Sequence, residues 1–180
     1  MVDLNPTTAA AVALQAPLRS GTPNTPESLR RVMELLFYAY RDITAEPDRL
    51  LADYGFGRAH HRAIHFIRRN PGISVAELIG VLRITKQSLA RVLRQLVDRQ
   101  FVVQKTDPID RRRRRLYLTK NGEILENLIS APQQERLSRA FSNAGPKAVD
   151  GYLQVLWALA DATDRATLIE KESCQPEAHP

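Results

Sequence analysis

Apolar residues recur at intervals of three and four along most of the chain, a spacing that places them on one face of a helix. Over residues 26–45 this spacing predicts a first helix, with Thr25 as its N-cap and Pro26 at its first position. Pro47 is expected to end this helix, because proline removes a backbone donor and clashes with the preceding turn. A second helix is predicted over residues 58–69.

The segment between residues 74 and 119 changes from helical spacing to the alternation of strands. Ser74 and Glu77 have the spacing of a capping box, and Thr85 is placed to cap the next helix. The predicted elements are helices over 75–81 and 85–99 and strands over 101–105 and 115–118. Helix, turn, helix and hairpin in this order predict a winged helix-turn-helix.

Two more helices are predicted after the hairpin. Thr119 caps one that reaches about residue 141, with a kink expected at Pro132, and the last covers residues 147–169. Residues 1–25 and 170–180 lack apolar periodicity and are expected to form a flexible arm and a flexible tail. The predicted fold is therefore mainly α with a small β-hairpin wing, in one domain over residues 26–169 whose winged helix-turn-helix lies at about 58–119.

The net charge of +6 is concentrated in one segment. Between Arg83 and Lys120 there are twelve basic and three acidic residues, so the rest of the chain is mildly acidic. A basic segment of this kind indicates a polyanion as partner. No membrane-length apolar run is present, and the single cysteine, Cys174, excludes a disulfide scaffold and a zinc site of several cysteines. We therefore expect a cytoplasmic protein without cofactor or metal.

The helix over residues 85–99 has two different faces. Its apolar residues fall in one stripe, and the opposite side and first turn carry Lys86, Gln87, Ser88, Arg91 and Arg94. Amide, hydroxyl and guanidinium groups can address base edges and phosphates in the major groove of DNA. A solvated helix face has a similar composition, but the capped helix before it and the basic hairpin after it favour DNA recognition.

The loop of the predicted hairpin is its most basic part. It contains Asp107, Pro108 and Asp110, and five consecutive arginines, Arg111 to Arg115, follow. An arginine held at a loop tip suits the narrow minor groove, where the negative potential is deepest. Asp110 can pair with one arginine and hold the loop shape. A solvated basic run or a nuclear-type targeting sequence is the alternative, which the position between two strands disfavours.

The motif Asp107-Pro108-x-Asp110-Arg111-Arg112, followed by Leu116-x-Leu118-Thr119-x-x-Gly122, resembles the wing signature of the MarR family of bacterial regulators. The resemblance implies that Arg112 enters the minor groove, although the extra arginines leave Arg111 and Arg113 as candidates too. The DNA-binding candidates are Ser74, Thr85, Lys86, Gln87, Ser88, Arg91, Arg94, Asp110, Arg111, Arg112 and Arg113.

The resemblance also implies that the chain is a homodimeric repressor, which binds double-stranded DNA and is released from it by a small effector. Apolar faces in residues 26–45 and 120–169 exceed what a small winged domain must cover, which supports dimerisation there. A pseudo-palindromic promoter site would follow from the two-fold symmetry. The effector pocket is expected at Phe37, Tyr40, His61 and His65.

Other functions are less favoured by the sequence. A nucleoid-type architectural protein would bind DNA with little sequence preference, and an interaction module would dock a protein or RNA partner. His60, His61 and His65 lack further ligands nearby, so metal sensing is disfavoured, as is redox sensing by Cys174. No glycine-rich phosphate loop or nucleophile elbow is present, which argues against an enzyme.

Overall fold

The computed structural model describes residues 24–174, so most of the predicted arm and residues 175–180 of the predicted tail lie outside the described residues. The chain divides into two units, and the boundary between them along the sequence lies between Ala39 and Tyr40. The first unit holds the N-terminal part of helix α1 (Pro26–Ala52). Thr25 caps it as predicted, since its Oγ1 accepts from the backbone N–H of Ser28 over 3.2 Å.

The second unit contains the rest of α1 and every later element. These are α2 (Arg58–Arg69), β1 (Ile73–Ser74), α3 (Val75–Leu82), α4 (Lys86–Asp98), β2 (Val102–Thr106), β3 (Arg114–Leu118), α5 (Lys120–Ala144), α6 (Pro146–Leu159) and α7 (Ala162–Cys174). Helix α2 has the predicted bounds, and α3, α4, β2 and β3 agree with the sequence to within one residue at each end. The mainly α fold with a β wing is confirmed.

The three strands form one antiparallel sheet in the order β1-β3-β2. Strand β2 pairs with β3 from Val102 opposite Leu118 to Thr106 opposite Arg114. Strand β1 pairs Ile73 with Leu116, which ties the hairpin to the segment before α3. The sequence did not predict β1, because two residues are too few to show alternation.

The core lies where α2, α3 and α4 meet the hairpin and the start of α5. Leu89 and Leu96 of α4 are fully buried, and Val92 and Leu93 are nearly so, which confirms the predicted inward face. The other large apolar side chains that are fully buried are Pro47, Leu51, Ile64, Ile67, Leu78, Val102, Leu116, Leu125 and Ile129. One face of α4 is thus fixed against the core, and its opposite face is left to solvent.

Three predicted boundaries are wrong. Pro47 lies inside α1, which continues to Ala52, because Pro47 and Leu51 pack into the core and offset the lost hydrogen bond. The predicted last helix is two helices, since the backbone of Ala160 is extended and Asp161 starts α7 by accepting from Thr163 N over 3.1 Å. Helix α7 then runs to Cys174, beyond the predicted end at residue 169.

Within residues 24–174, no helix is both long enough and apolar enough to cross a membrane.

Candidate nucleic-acid interface

Helix α4 presents the predicted reading residues to solvent. Thr85 caps it by accepting from Ser88 N over 3.2 Å, and its hydroxyl also donates to Ser88 Oγ over 2.9 Å. Lys86, Gln87, Ser88, Arg91 and Arg94 are all exposed. Gln87, Arg91 and Arg94 lie on the side opposite the buried stripe, and Lys86 and Ser88 lie in the first turn. The structure therefore brings these five side chains together on one open surface, which is here called the reading face.

Ser74 does not belong to the reading face. It is 5% exposed, its Oγ accepts from Glu77 N over 3.2 Å, and its own N–H donates to Glu77 Oε2 over 2.7 Å. The predicted capping box is therefore confirmed, and Ser74 has the structural role of starting α3. A DNA contact from its side chain is not compatible with this burial. Thr85, in contrast, is exposed at the start of the reading face.

The loop of the wing, residues 107–113, is organised by a buried carboxylate. Asp107 is 3% exposed, and its Oδ1 accepts from the backbone N–H groups of Ile109 over 2.8 Å and Asp110 over 3.0 Å. Its Oδ2 accepts from Arg115 Nε over 2.5 Å. The backbone donors, followed by Arg115, lower the pKa of Asp107 to about 2. Asp107 is therefore a permanent anion at the base of the loop.

The five arginines do not play one role. Arg115 is held by Asp107 and donates to the Gly72 carbonyl over 3.1 Å, and Arg114 donates to Thr106 Oγ1. These two arginines belong to the frame of the hairpin. Arg111, Arg112 and Arg113 are exposed in the loop itself, whereas Arg114, although also exposed, donates to Thr106 at the start of β3. The three loop arginines are therefore the candidates for contact with a nucleic acid.

Asp110 supports the exposed arginines, in agreement with its predicted role. Its Oδ1 accepts from Arg112 N over 3.0 Å, and its Oδ2 lies 3.4 Å from Arg113 Nε. Sequence reasoning gave Asp110 the main role in shaping the loop and missed Asp107 and Arg115. The Asp-Pro-x-Asp order was the available signal, because an aspartate at the start of a turn commonly accepts N–H groups two and three residues ahead.

The base of the wing is fixed against α5 by a close backbone approach. Thr119 N donates to the Phe101 carbonyl over 3.0 Å, and Thr119 Oγ1 accepts from Gly122 N over 3.1 Å. A Cβ atom on Gly122 would lie only 2.0 Å from the Phe101 carbonyl oxygen. Glycine is therefore required at this position, and the wing is seated directly on the first turn of α5.

A cleft of about 820 Å³ lies between α1, α2 and α5 within the second unit. Three of the four predicted pocket residues, Tyr40, His61 and His65, line it. Phe37, the fourth, is exposed in the first unit. The cleft is also lined by Thr44, Phe66, Pro71, Asn127, Ser130, Gln133 and Leu137 and by Arg58, Arg62, Arg68, Arg69 and Glu126. Arg58 and Arg68 are ion-paired with Asp48 and Glu123, each over 2.8 Å. Arg62 and Arg69, against Glu126, leave the lining slightly basic.

Several polar contacts fix the side chains of this cleft. Arg62 donates to the Tyr40 hydroxyl over 3.0 Å, and His65 Nδ1 lies 3.6 Å from the largely buried Glu126. Burial lowers the pKa of His61, and the nearby His65 adds to this shift.

Among the described residues, no group of three His, Cys, Asp or Glu side chains could hold a metal ion. His60, the third histidine of the predicted cluster, forms hydrogen bonds with other residues. Its Nδ1 accepts from Gly57 N over 3.1 Å, and its Nε2 lies 2.6 Å from Gln95 Oε1.

Comparison with known proteins places this geometry in a family. The sequence model of the MarR family matches residues 54–113, from the end of α1 to the last arginine of the loop. The chain is 50% identical to the HTH-type transcriptional regulator PetP of Rhodobacter capsulatus over 141 residues, which cover 78% of this chain and 85% of that protein. The chain belongs to the MarR family.

Solved structures agree with the MarR fold. A crystal structure of MarR covers 78% of this chain and 99% of its own, at 25% identity and a TM-score of 0.57. The crystal structure of Streptococcus pneumoniae FabT in complex with DNA covers 73% and 94%, at 16% identity and a TM-score of 0.65. The MarR-family chain is thus a DNA-binding transcriptional regulator of the winged-helix type and is not an enzyme.

Proposed function

We propose that this MarR-family chain is a homodimeric, site-specific repressor whose reading helices α4 enter successive major grooves, whose wings enter the flanking minor grooves, and which a small anionic ligand releases. The observation that carries the proposal is the reading face itself, which is exposed, basic and rigidly backed by the core. In this proposal the protein acts on chromosomal DNA in the cytoplasm.

The reading face and the wing supply different parts of DNA recognition. Gln87 and Arg91 have the donors and acceptors for base edges, and Lys86 and Arg94 can neutralise phosphates. Arg112 is exposed in the loop, and the resemblance to the wing signature of the MarR family makes it the first choice for the minor groove.

Dimerisation is supported by apolar surface in both units. In the first unit, Leu29, Met33, Leu35, Leu36, Phe37 and Tyr38 are exposed on α1. In the second unit, α6 buries none of its side chains and exposes Tyr152, Leu153, Val155, Leu156, Trp157 and Leu159. Exposed apolar faces of this extent mark interaction surfaces. A two-fold dimer would space the two α4 helices by about one DNA turn, roughly 34 Å, and so select a pseudo-palindromic site.

The cleft supports release by a ligand. Its basic lining favours an anion, and Tyr40 and Phe66 offer aromatic surface for the body of a small molecule. A ligand that binds one conformation of the dimer better than the DNA-bound conformation shifts the population away from DNA. Repression follows if the occupied site overlaps a promoter.

The test is fluorescence anisotropy of the full chain on its own upstream DNA and on scrambled duplex, over a range of salt concentrations. Affinity for the upstream DNA at least about 10³-fold higher than for scrambled duplex is expected. Arg112→Ala should weaken specific binding and lower the salt slope by about 1. Arg49→Ala is the matched control, because Arg49 is also exposed but lies on α1, outside the reading face and the wing.

Each outcome distinguishes one function. Equal affinity for both duplexes would favour a nucleoid-type architectural protein, and a preference for RNA or protein would favour an interaction module. In vitro transcription from the bound promoter then gives the sign of regulation, since a repressor lowers the transcript. An aromatic carboxylate series, beginning with benzoate, tests the cleft, and release from DNA should be lost in Arg62→Ala if the ligand binds there.

A further inference from the structure

Ile109 is 95% exposed, the highest value among the exposed large apolar side chains of the described residues. It lies in the loop of the wing, between Pro108 and Asp110. Apart from the adjacent Pro108, the other side chains of the loop are charged, so Ile109 does not belong to a larger apolar patch. Water around an isolated apolar side chain is released on contact with a partner, which makes such a contact favourable.

The backbone of the loop holds Ile109 in this exposed position. Its N–H donates to Asp107 Oδ1 over 2.8 Å, and Pro108 restricts the backbone just before it. Asp107 is fixed in turn by Arg115 of β3. The exposure of Ile109 is therefore a property of the ordered turn, and the side chain is presented to a partner without reorganisation of the loop.

The charges around Ile109 indicate which partner it meets. Arg111, Arg112 and Arg113 are exposed in the same loop, and the two acidic side chains of the loop are occupied by their own contacts. Asp110 lies 3.4 Å from Arg113, so the tip offers an apolar side chain beside the positive charges of Arg111 and Arg112, which no acidic side chain of the loop compensates. A polyanion with apolar surface between its charges fits this tip, and the minor groove of DNA has phosphates at its edges and deoxyribose C–H groups on its walls.

We propose that Ile109 enters the minor groove beside the wing arginine, packs against the sugar walls and the base edges, and selects against G·C pairs at that point of the site. This proposal rests on the proposed DNA recognition by the wing. Ile109 has no donor or acceptor in its side chain. Acceptors lie at the groove edge of both kinds of base pair, whereas a G·C pair adds the N2 amino group of guanine, which Ile109 would leave without a partner.

The first experiment measures affinity for the upstream DNA and its salt dependence. Ile109→Ala should weaken specific binding about fivefold, since part of the apolar contact is lost, and should leave the salt slope unchanged because no phosphate contact is removed. Arg112→Ala, in contrast, should lower the slope by about 1. Val103→Ala is the control, because Val103 is an exposed apolar residue at the far end of β2 from the loop.

The second experiment tests the groove. The base pair facing the wing is located by hydroxyl-radical footprinting and is then made G·C or inosine·C, which differ only by the N2 amino group of guanine. The wild-type chain should prefer inosine·C roughly fivefold or more. In Ile109→Ala the preference for inosine·C over G·C should be smaller, and the preference that remains is attributed to the wing arginine. Unchanged melting temperature shows that the variant is folded, as the high exposure of Ile109 predicts.

The outcomes separate this proposal from the proposed function. Failure of the wild-type chain to bind any duplex specifically overturns both. Specific binding that Ile109→Ala leaves unchanged, or an inosine preference of equal size in both proteins, overturns the role of Ile109 only. Loss of affinity together with a reduced salt slope would also overturn it, because the effect would then pass through the arginines.

Discussion

Arg115 Nε donates to Asp107 Oδ2 over 2.5 Å, and this bond joins the first residue after β2 to the second residue of β3. Asp107 also receives the N–H groups of Ile109 and Asp110, so one carboxylate closes both the hairpin and the turn at its tip. The wing residues that contact DNA in our proposal lie in the loop that this bond holds in shape, and none of them takes part in the bond.

Asp107→Asn is expected to loosen the wing without unfolding the core. An asparagine has only one acceptor oxygen, so its NH₂ group would point a donor either at Arg115 or at the N–H groups of Ile109 and Asp110. DNA affinity should fall about tenfold with an unchanged salt slope, because no arginine is removed. Hydrogen exchange at the amides of Ile109 and Asp110 should become faster. Asp53→Asn, an exposed aspartate outside the wing, is the control. Unchanged exchange at the two amides would contradict the role of Asp107.

The pKa of Asp107, about 2 in the folded chain, gives a second test of the same carboxylate. The folded value is lower than the ordinary 3.8, so the ionised form stabilises the folded state. This contribution is fully present above about pH 4 and is lost as the pH falls toward 2. A carbon-detected NMR titration should give a midpoint near 2, and a midpoint near 3.8 would show that the turn is not held by the carboxylate.

Gly122→Ala should be severely destabilising. The new Cβ would lie 2.0 Å from the Phe101 carbonyl oxygen, so the hairpin or α5 must shift. We expect a loss of about 3 kcal/mol in the free energy of unfolding, measured by urea denaturation. Gly80→Ala is the matched control, since a Cβ there meets nothing within 4 Å and the position is inside α3. That control should be more stable by roughly 0.5–1 kcal/mol. Equal effects of the two substitutions would refute the close approach.

His61 predicts a pH dependence of stability. Its folded pKa is below the ordinary 6.5, first because of burial and then because of His65; Arg62 acts in the same direction, while Asp48 and Gln133 oppose it. The folded state therefore favours the neutral ring, and the unfolded state binds more protons below about pH 6.5. The melting temperature should fall as the pH is lowered from about 7.5 to about 5.5. His61→Gln should flatten this decline, and a decline of equal steepness in the variant would assign it to other groups.

Trp157, the single tryptophan of the chain, reports on dimerisation. It is exposed on α6, a helix with no buried side chain. If α6 forms the dimer surface, the fluorescence emission of Trp157 should shift to shorter wavelength as the protein concentration rises. The sedimentation coefficient should increase from that of a monomer to that of a dimer over the same concentration range. Trp157→Asp should keep the helical circular dichroism and sediment as a monomer with weakened specific DNA binding. A dimer that survives this substitution would place the interface elsewhere.

The reading face was predictable from the sequence because its determinants are local. Helical periodicity separated Leu89 and Leu96 from Arg91 and Arg94, and the cap at Thr85 fixed where the helix begins. The same local rules found the capping box at Ser74, although they did not show that its side chain is buried.

The features that the sequence did not predict depend on distant contacts. Pro47 continues α1 because the core covers it, and no neighbour in sequence indicates that. Strand β1 exists because β3 lies beside it. The division of the five arginines could not be read from a uniform run, since it is decided by the partners that each meets: Thr106 for Arg114, Asp107 for Arg115.

The separation between the frame of the wing and its exposed tip has a consequence for how such regulators diverge. Asp107 and Arg115 keep the loop in shape, while the side chains at 109 and 111–113 take no part in the core. Substitutions at the tip should therefore be compatible with folding, and if the tip contacts DNA as we propose, they change the choice of target site while the scaffold is kept. The tip is also the natural place to randomise when a regulator with a new operator is wanted.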